Sequence, residues 1–155
     1  MKTIFGTLGS DECLKLLSQN YIGRLAFISG ATPYITPITY YYDAQEKCVL
    51  SYSSEGHKVK AMRKSGSVAL QIDEIHNIQD WRSVLVHGNY EELKGSTAKF
   101  YLHKFALGVQ ETIAEKEGSG PKFISDFSSR LTQKSIPIVY RIIINDISGK
   151  FRDGK

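Results

Sequence analysis

Six stretches of this chain are rich in β-branched and aromatic residues, with turn-forming or short helix-like segments between most of them. They are IGRLAFIS (22–29), YITPITYYYD (34–43), CVLSYSS (48–54), SVALQIDE (67–74), WRSVLVHGNYEEL (81–93) and IPIVYRIIINDISGK (136–150). Gly30, Ala31, Thr32 and Pro33 are turn residues, so the first two runs are predicted to form a hairpin. DAQEK leads into the third run, which makes the three a meander. Val68, Leu70 and Ile72 alternate with smaller or polar residues. Val84 and Val86 share one face, while Ser83, Leu85 and His87 share the other. Gly88 marks a bulge or bend, and Ile138, Tyr140, Ile142 and Ile144 fall on one face of the closing run.

Helical spacing is confined to shorter pieces. Ser10 precedes DECLKLLSQ, whose first turn holds Asp11 and Glu12. HKVKAMRKS reads as a brief helix with Val59, Met62 and Ala61 inward, and GSTAKFYLHKFALGV as another. QETIAEKEGSGPKF reads as a polar, mobile loop, and ISDFSSRLTQ as one or two helical turns. The pattern predicts a mainly β fold with short helices at the corners: a six-stranded antiparallel barrel, closed or split, in a single domain over 1–155.

Composition narrows the function classes. With 155 residues, 41% hydrophobic and 23% charged, the chain is long and apolar enough to bury a core. The net charge of +4 comes from scattered basic residues rather than a clustered nucleic-acid footprint, and a small anionic ligand suits it equally. No apolar run is long enough to cross a membrane. Cys13 and Cys48 lack metal-ligand spacing, and no metal site is expected. Two free thiols in a reducing cytoplasm is the reading.

One stretch concentrates the chemistry: SYSSEGHKVKAMRKSG, residues 51–66. A phosphate monoester carries about two negative charges, and asks for cations, hydroxyls and free backbone N–H groups at a helix start. Ser53 and Ser54 supply hydroxyls, Gly56 permits close backbone approach, and His57 and Lys58 supply cationic donors. On residue types alone, the same residues read first as a serine-capped helix with solvated lysines. In TPITYYYD, Pro37 points to an edge strand or a bulge. Tyr40, Tyr41 and Tyr42 cannot share one face, so at least one is expected at the surface or in a cleft. In WRSV, Arg82 and Ser83 are natural anion partners.

The order GRLAFI, PYITPITYYYD, VLSYSSEGHKVKAMRKSGSVALQID, WRSVLVHGNYEEL resembles the pyridoxamine 5′-phosphate oxidase-like, FMN-binding split barrels, and within them the nitroimidazole-reductase-like branch. The resemblance covers about residues 10–107, and YRIIINDISGK is similar to the family's last strand. It implies FMN as cofactor and a homodimer with FMN sites at the subunit interface. Thr36, Pro37, Ile38 and Thr39 would lie along the flavin ring. Ser51, Tyr52, Ser53, Ser54, Gly56, His57 and Lys58 would grip the ribityl chain and phosphate, and Arg82, Ser83 and Val84 would add a further contact. Ser51 stands where many members of that branch carry a histidine. The substrate-phosphate residues of the vitamin-forming oxidases are absent from VYRIIINDISGKFRDGK. The implied function is an FMN-dependent oxidoreductase acting on a nitroaromatic or another small acceptor, with a nicotinamide or deazaflavin donor. The alternatives are a non-catalytic flavin-binding module and a haem-binding protein using His57, His76, His87 or His103. No catalytic residue is assigned; Tyr40 and His87 are the acid–base candidates.

Overall fold

The computed structural model describes residues 4–118 and 137–154. In chain order the elements are β1 (Ile4–Leu8), α1 (Ser10–Ser18), β2 (Ile22–Ser29), β3 (Thr32–Thr39), β4 (Tyr41–Asp43) and β5 (Cys48–Ser53). There follow α2 (His57–Lys64), β6 (Ser67–Asn77), β7 (Asp80–Glu92), α3 (Gly95–Glu117) and β8 (Ile138–Asp153). The helical turns expected at 124–133 lie outside the described residues.

All strand pairs are antiparallel, in the path β3-β2-β6-β7-β8-β5-β4, with β1 on the far half of β8. The sheet does not close: β3 and β4 are its two ends. This is a split barrel of eight strands rather than six. Two causes account for the difference. The run 34–43 divides at Tyr40, whose ring is fully buried and whose hydroxyl donates to the Leu17 carbonyl at 2.7 Å. The expected meander therefore breaks there, and the chain passes from one end of the sheet to the other. The second cause is β1, which carries no strand periodicity of its own and exists by pairing with the long β8.

The alternating runs bury what their period requires. Leu25, Leu70, Ile72, Val84, Val86, Tyr140 and Ile142 fill the barrel, closed by Leu16 and Leu17 of α1 and Met62 of α2. At the bulge where Gly88 meets β8, register slips past Asn145, and a side chain at Gly88 would strike the Ile143 carbonyl oxygen.

A second core lies outside the barrel, where Cys48 and Leu50 of β5 meet Phe105, Val109 and Ile113 of α3. Helix α3 continues through Gln110–Glu117, which the sequence reading made a loop. The inward spacing of Phe105, Val109, Thr112 and Ile113 carries on to the left-handed Gly118, and the charged residues of these turns stay exposed. Lys116 bonds Asn20, and Glu117 accepts from the Tyr21 hydroxyl, which latches the added turns to the barrel. The three adjacent tyrosines are divided between the cores: Tyr40 and Tyr42 face the barrel, Tyr41 packs against Gly108 of α3, and none is exposed. Cys13 and Cys48 are buried and unpaired. Among the described residues no helix is long and apolar enough to cross a membrane.

Candidate functional site

Strand β5 ends at Ser53, the chain turns through Ser54–Gly56, and α2 begins at His57. No side chain caps this helix; Ser53 Oγ instead donates to the Ser54 carbonyl at 3.1 Å. The serine-cap reading is thereby set aside, and the first-turn N–H groups are left without a side-chain acceptor. The turn is held from behind by Arg63, which bonds Glu55 at 2.7 Å and, through Nε and Nη2, both oxygens of Glu92.

Lys58 is half-buried at this helix start, and burial pushes its ammonium below the ordinary lysine value. Among the described residues no carboxylate pairs with it. A partly desolvated cation beside uncapped N–H groups has the chemistry that suits an anion. His57 lies next to it, with Nε2 2.9 Å from Ser29 Oγ and its ring edge-on to Tyr34 at 4.9 Å between centroids.

The Arg63 carboxylate partner gives a test of the turn. Arg63, then Lys94 and the Tyr90 hydroxyl, hold the Glu92 carboxyl down to about 2 against an ordinary 4.5. A depressed carboxyl stabilises the fold above its unfolded value and loses that contribution as pH falls. Thermal melts should therefore drop between about pH 4.5 and 2 in the native chain, and the drop should be smaller in Glu92→Gln. An unchanged pH profile in the variant would exclude this network as a stabiliser.

Strand β3 is an edge strand, as Pro37 implied, paired only with β2. Pro37 and Ile35 point outward and are exposed, while Ile38 turns into the barrel. Ser51 also faces inward, its hydroxyl donating to the Thr39 carbonyl at 2.8 Å, and so ties β5 to the end of β3. Val84 is fully buried, and Tyr52 packs edge-on to Phe105 in the outer core. At Ile38, Ser51 and Val84 the side chain is interior, so the backbone is what remains for a ligand.

Arg82 and Ser83 do not act together. Adjacent strand residues face opposite ways: Arg82 pairs with Glu74 at 2.9 Å, whereas Ser83 lies on the outer face, bonded by Gln71 Nε2 at 2.9 Å. Nor are the three segments neighbours, because β2 and β6 separate β3 from β7. His57 stands beside Ser29 and Tyr34, with Gly56 and Lys58 its chain neighbours, while Ser83 lies on the outer face of the sheet. Sequence reading missed Ser29, Tyr34, Arg63 and the group Arg24–Gln71–Asp73 around Ser83, since all join through helix–strand and strand–strand contacts that one-dimensional spacing does not reveal.

The acid–base candidates separate as well. Burial, reinforced by the Glu74 charge, drives the Tyr40 phenol far above its ordinary value, so it stays a structural donor. His87 is exposed, 4.0 Å from Asp146, at the rim of a cleft of about 350 Å³ floored by Ala26 and Ala69. Asp43, Glu46 and Cys48 bring ligand-type atoms within 4.8 Å of one another, but the Lys104 ammonium sits on Asp43 at 2.6 Å and takes a cation's place.

Known proteins place this architecture. A family model for pyridoxamine 5′-phosphate oxidase matches residues 9–151. An uncharacterized protein of Rhizobium meliloti (strain 1021) is 35% identical over 86 residues, and the match spans 56% of each chain. A FAD-binding protein of Mesorhizobium loti superposes with a TM-score of 0.74 at 27% identity, covering 99% of this chain and 100% of its own. A candidate 5-nitroimidazole antibiotic resistance protein of Bacteroides thetaiotaomicron VPI-5482 shares the fold at 11% identity, with a TM-score of 0.60 over 100% and 93% of the two chains. Since the family model spans nearly the whole sequence, from the turn before α1 into the last residues of β8 at residue 151, the chain belongs to the pyridoxamine 5′-phosphate oxidase family.

Proposed function

We propose that the protein binds FMN as a homodimer and is an oxidoreductase that passes electrons from a nicotinamide or deazaflavin donor to a small, nitroaromatic-type acceptor. The observation that carries the reading is Lys58: a half-buried ammonium, unpaired among the described residues, at the start of an uncapped helix. A phosphate dianion satisfies that cation and those N–H groups together. The FAD-binding relative in Mesorhizobium loti supports a flavin as the group that brings the phosphate.

The ring then follows the open edge of β3, where Thr36–Thr39 offer backbone to one side. Bound flavin supplies the hydride and electron chemistry, and the chain's part is to seat, orient and shield it. Lys58 and the α2 N–H groups hold the phosphate, with Ser53, Ser54 and His57 at its margin. Ser83 points away from this seat, and the sheet around it exposes Ile22, Ile35 and Ile75. A second copy covering that apolar face brings Ser83 to the neighbouring flavin, which is the basis for the dimer.

The experiment is an absorbance spectrum of the protein reconstituted with FMN, followed anaerobically on adding NADH, NADPH or a reduced deazaflavin. A shifted flavin band that bleaches and returns with a nitroaromatic acceptor is expected. Tight binding with no bleaching by any donor would replace the enzyme by a flavin store or sensor. A Soret band on adding haem, with no flavin shift, would overturn the cofactor.

A further inference from the structure

Resting on that flavin reading, we propose that Arg63 sets the preference of the seat for a phosphorylated over an unphosphorylated flavin, by holding the Glu55 carboxylate off Lys58 and off the start of α2. Between Glu46 and Asp73 the chain carries Lys47, Lys58, Lys60, Arg63 and Lys64 but a single acidic residue. That residue is Glu55, placed in the turn directly before Gly56 and the first residues of α2. An acid there opposes an anion in two ways. It repels a phosphate dianion, and it competes for the same donors, because a carboxylate beside a helix start is a natural acceptor for the free N–H groups.

The structure shows neither the cap nor the competing ion pair. No side chain caps α2. Among the described residues no carboxylate pairs with Lys58, although Glu55 stands only three residues before it. Glu55 is drawn instead to Arg63 Nη1 at 2.7 Å. Arg63 lies seven residues after Gly56, two helical turns along. Side chains on a helix lean back towards its N-terminus, which gives the guanidinium its reach to the turn.

Alone, the Arg63–Glu55 pair would hold little, since its two side chains are 36% and 51% exposed. The rest of the guanidinium fixes it. Nε and Nη2 of Arg63 donate to the two oxygens of Glu92 at 2.7 and 3.1 Å. Glu92 is only 11% exposed, and it is held in turn by the Tyr90 hydroxyl at 2.8 Å and by Lys94 at 2.7 Å. A planar fork fastened by two bonds to a nearly buried carboxylate at the end of β7 keeps its remaining edge aimed at Glu55. The charges cancel as well, Arg63 against Glu55 and Lys94 against Glu92, so the carboxylates of this group add no net negative charge beside Lys58.

The test is fluorescence titration with FMN and with riboflavin, which has the same ring and ribityl chain but no phosphate. The proteins are wild type, Arg63→Met, Glu55→Gln and the double variant. Arg63→Met keeps an apolar stem and frees Glu55. It should bind FMN about tenfold more weakly, the scale of one lost contact to a charged group, and riboflavin as well as wild type does. Added salt should narrow the FMN gap. Removing the freed acid in the double variant should bring FMN affinity back to within about twofold of wild type, the non-additivity of two coupled residues. An arginine that merely braces α2 would weaken both flavins alike and leave the double variant as weak as the single. Either result, or wild-type FMN affinity in Arg63→Met, would overturn the proposal. If Arg63→Met does not fold, Glu55→Gln decides: it should bind FMN at least as tightly as wild type, and weaker binding would make Glu55 a support of the seat and overturn the proposal. A wild type that binds riboflavin as tightly as FMN, with Lys58→Ala unchanged, would instead sink the phosphate seat, and this inference with it.

Discussion

Replacing Lys58 by alanine should weaken FMN binding by up to about 100-fold, the scale of losing hydrogen bonds to a charged group. The same change should leave the ligand-free protein no less stable. Both halves follow from one observation: burial penalises the Lys58 ammonium, and no carboxylate among the described residues offsets that penalty. Removing an uncompensated, partly desolvated cation relieves the free chain and cripples the loaded one. Lys58→Met makes the contrast sharper, since it keeps the apolar stem; its ligand-free melting temperature should rise. The pH dependence has a definite sign. The free protein's Lys58 value is lowered, so FMN affinity should decline on the alkaline side earlier than an ordinary lysine would allow. Equal FMN affinity in wild type and Lys58→Ala, measured by fluorescence quenching, would place the phosphate elsewhere.

Tyr40→Ala should destabilise the protein by about 3–5 kcal/mol, the range for deleting a large buried aromatic. Tyr40→Phe should cost about 1–3 kcal/mol, because it leaves the Leu17 carbonyl unpaired in the core. Tyr40 is fully buried where the chain leaves β3 for β4, and its hydroxyl fastens that crossing to α1. Urea titration reads both effects as shifted midpoints at constant slope. Tyr40→Phe should still be reduced by whatever donor reduces the wild type, since a phenol held far above its ordinary value and bonded to a main-chain oxygen delivers no proton to a ligand. Loss of flavin reduction without loss of stability would restore Tyr40 as an acid–base group.

Much of the barrel was legible because strand burial has a period of two. Leu70/Ile72 and Val84/Val86 announce their faces from their spacing, and all four are buried in the barrel. Gly88 was legible for another reason: a bulge needs a position where no side chain fits, and glycine marks it. The added turns of α3 were hidden by composition. QETIAEKE looks like solvent-exposed loop until Thr112 and Ile113 are placed on the stripe begun by Phe105 and Val109. The split at Tyr40 and the existence of β1 were not legible at all, since each depends on a partner distant in sequence: Leu17 for the one, β8 for the other.

The candidate site divides in the same way. The seat at Ser53–Lys58 could be drawn from the sequence, because a strand end, a glycine turn and a helix start are local events. By local chemistry alone, however, it read as a serine cap before it read as an anion seat. What sets the cap aside is tertiary: Ser53 bonds Ser54, Arg63 takes Glu55, and Lys58 is left unpaired among the described residues. Arg82 and Ser83 look like partners in WRSV, yet the alternation of a strand sends them to opposite faces, one to Glu74 and the other to Gln71. The sequence by itself thus determined the fold family, the antiparallel strands and the residue types of the Ser53–Lys58 turn, all of which depend on periodicity and near neighbours. Only the tertiary structure decided which of those side chains are free, which are already paired and which side of the sheet they occupy, because burial and pairing are set by strands that meet across the barrel.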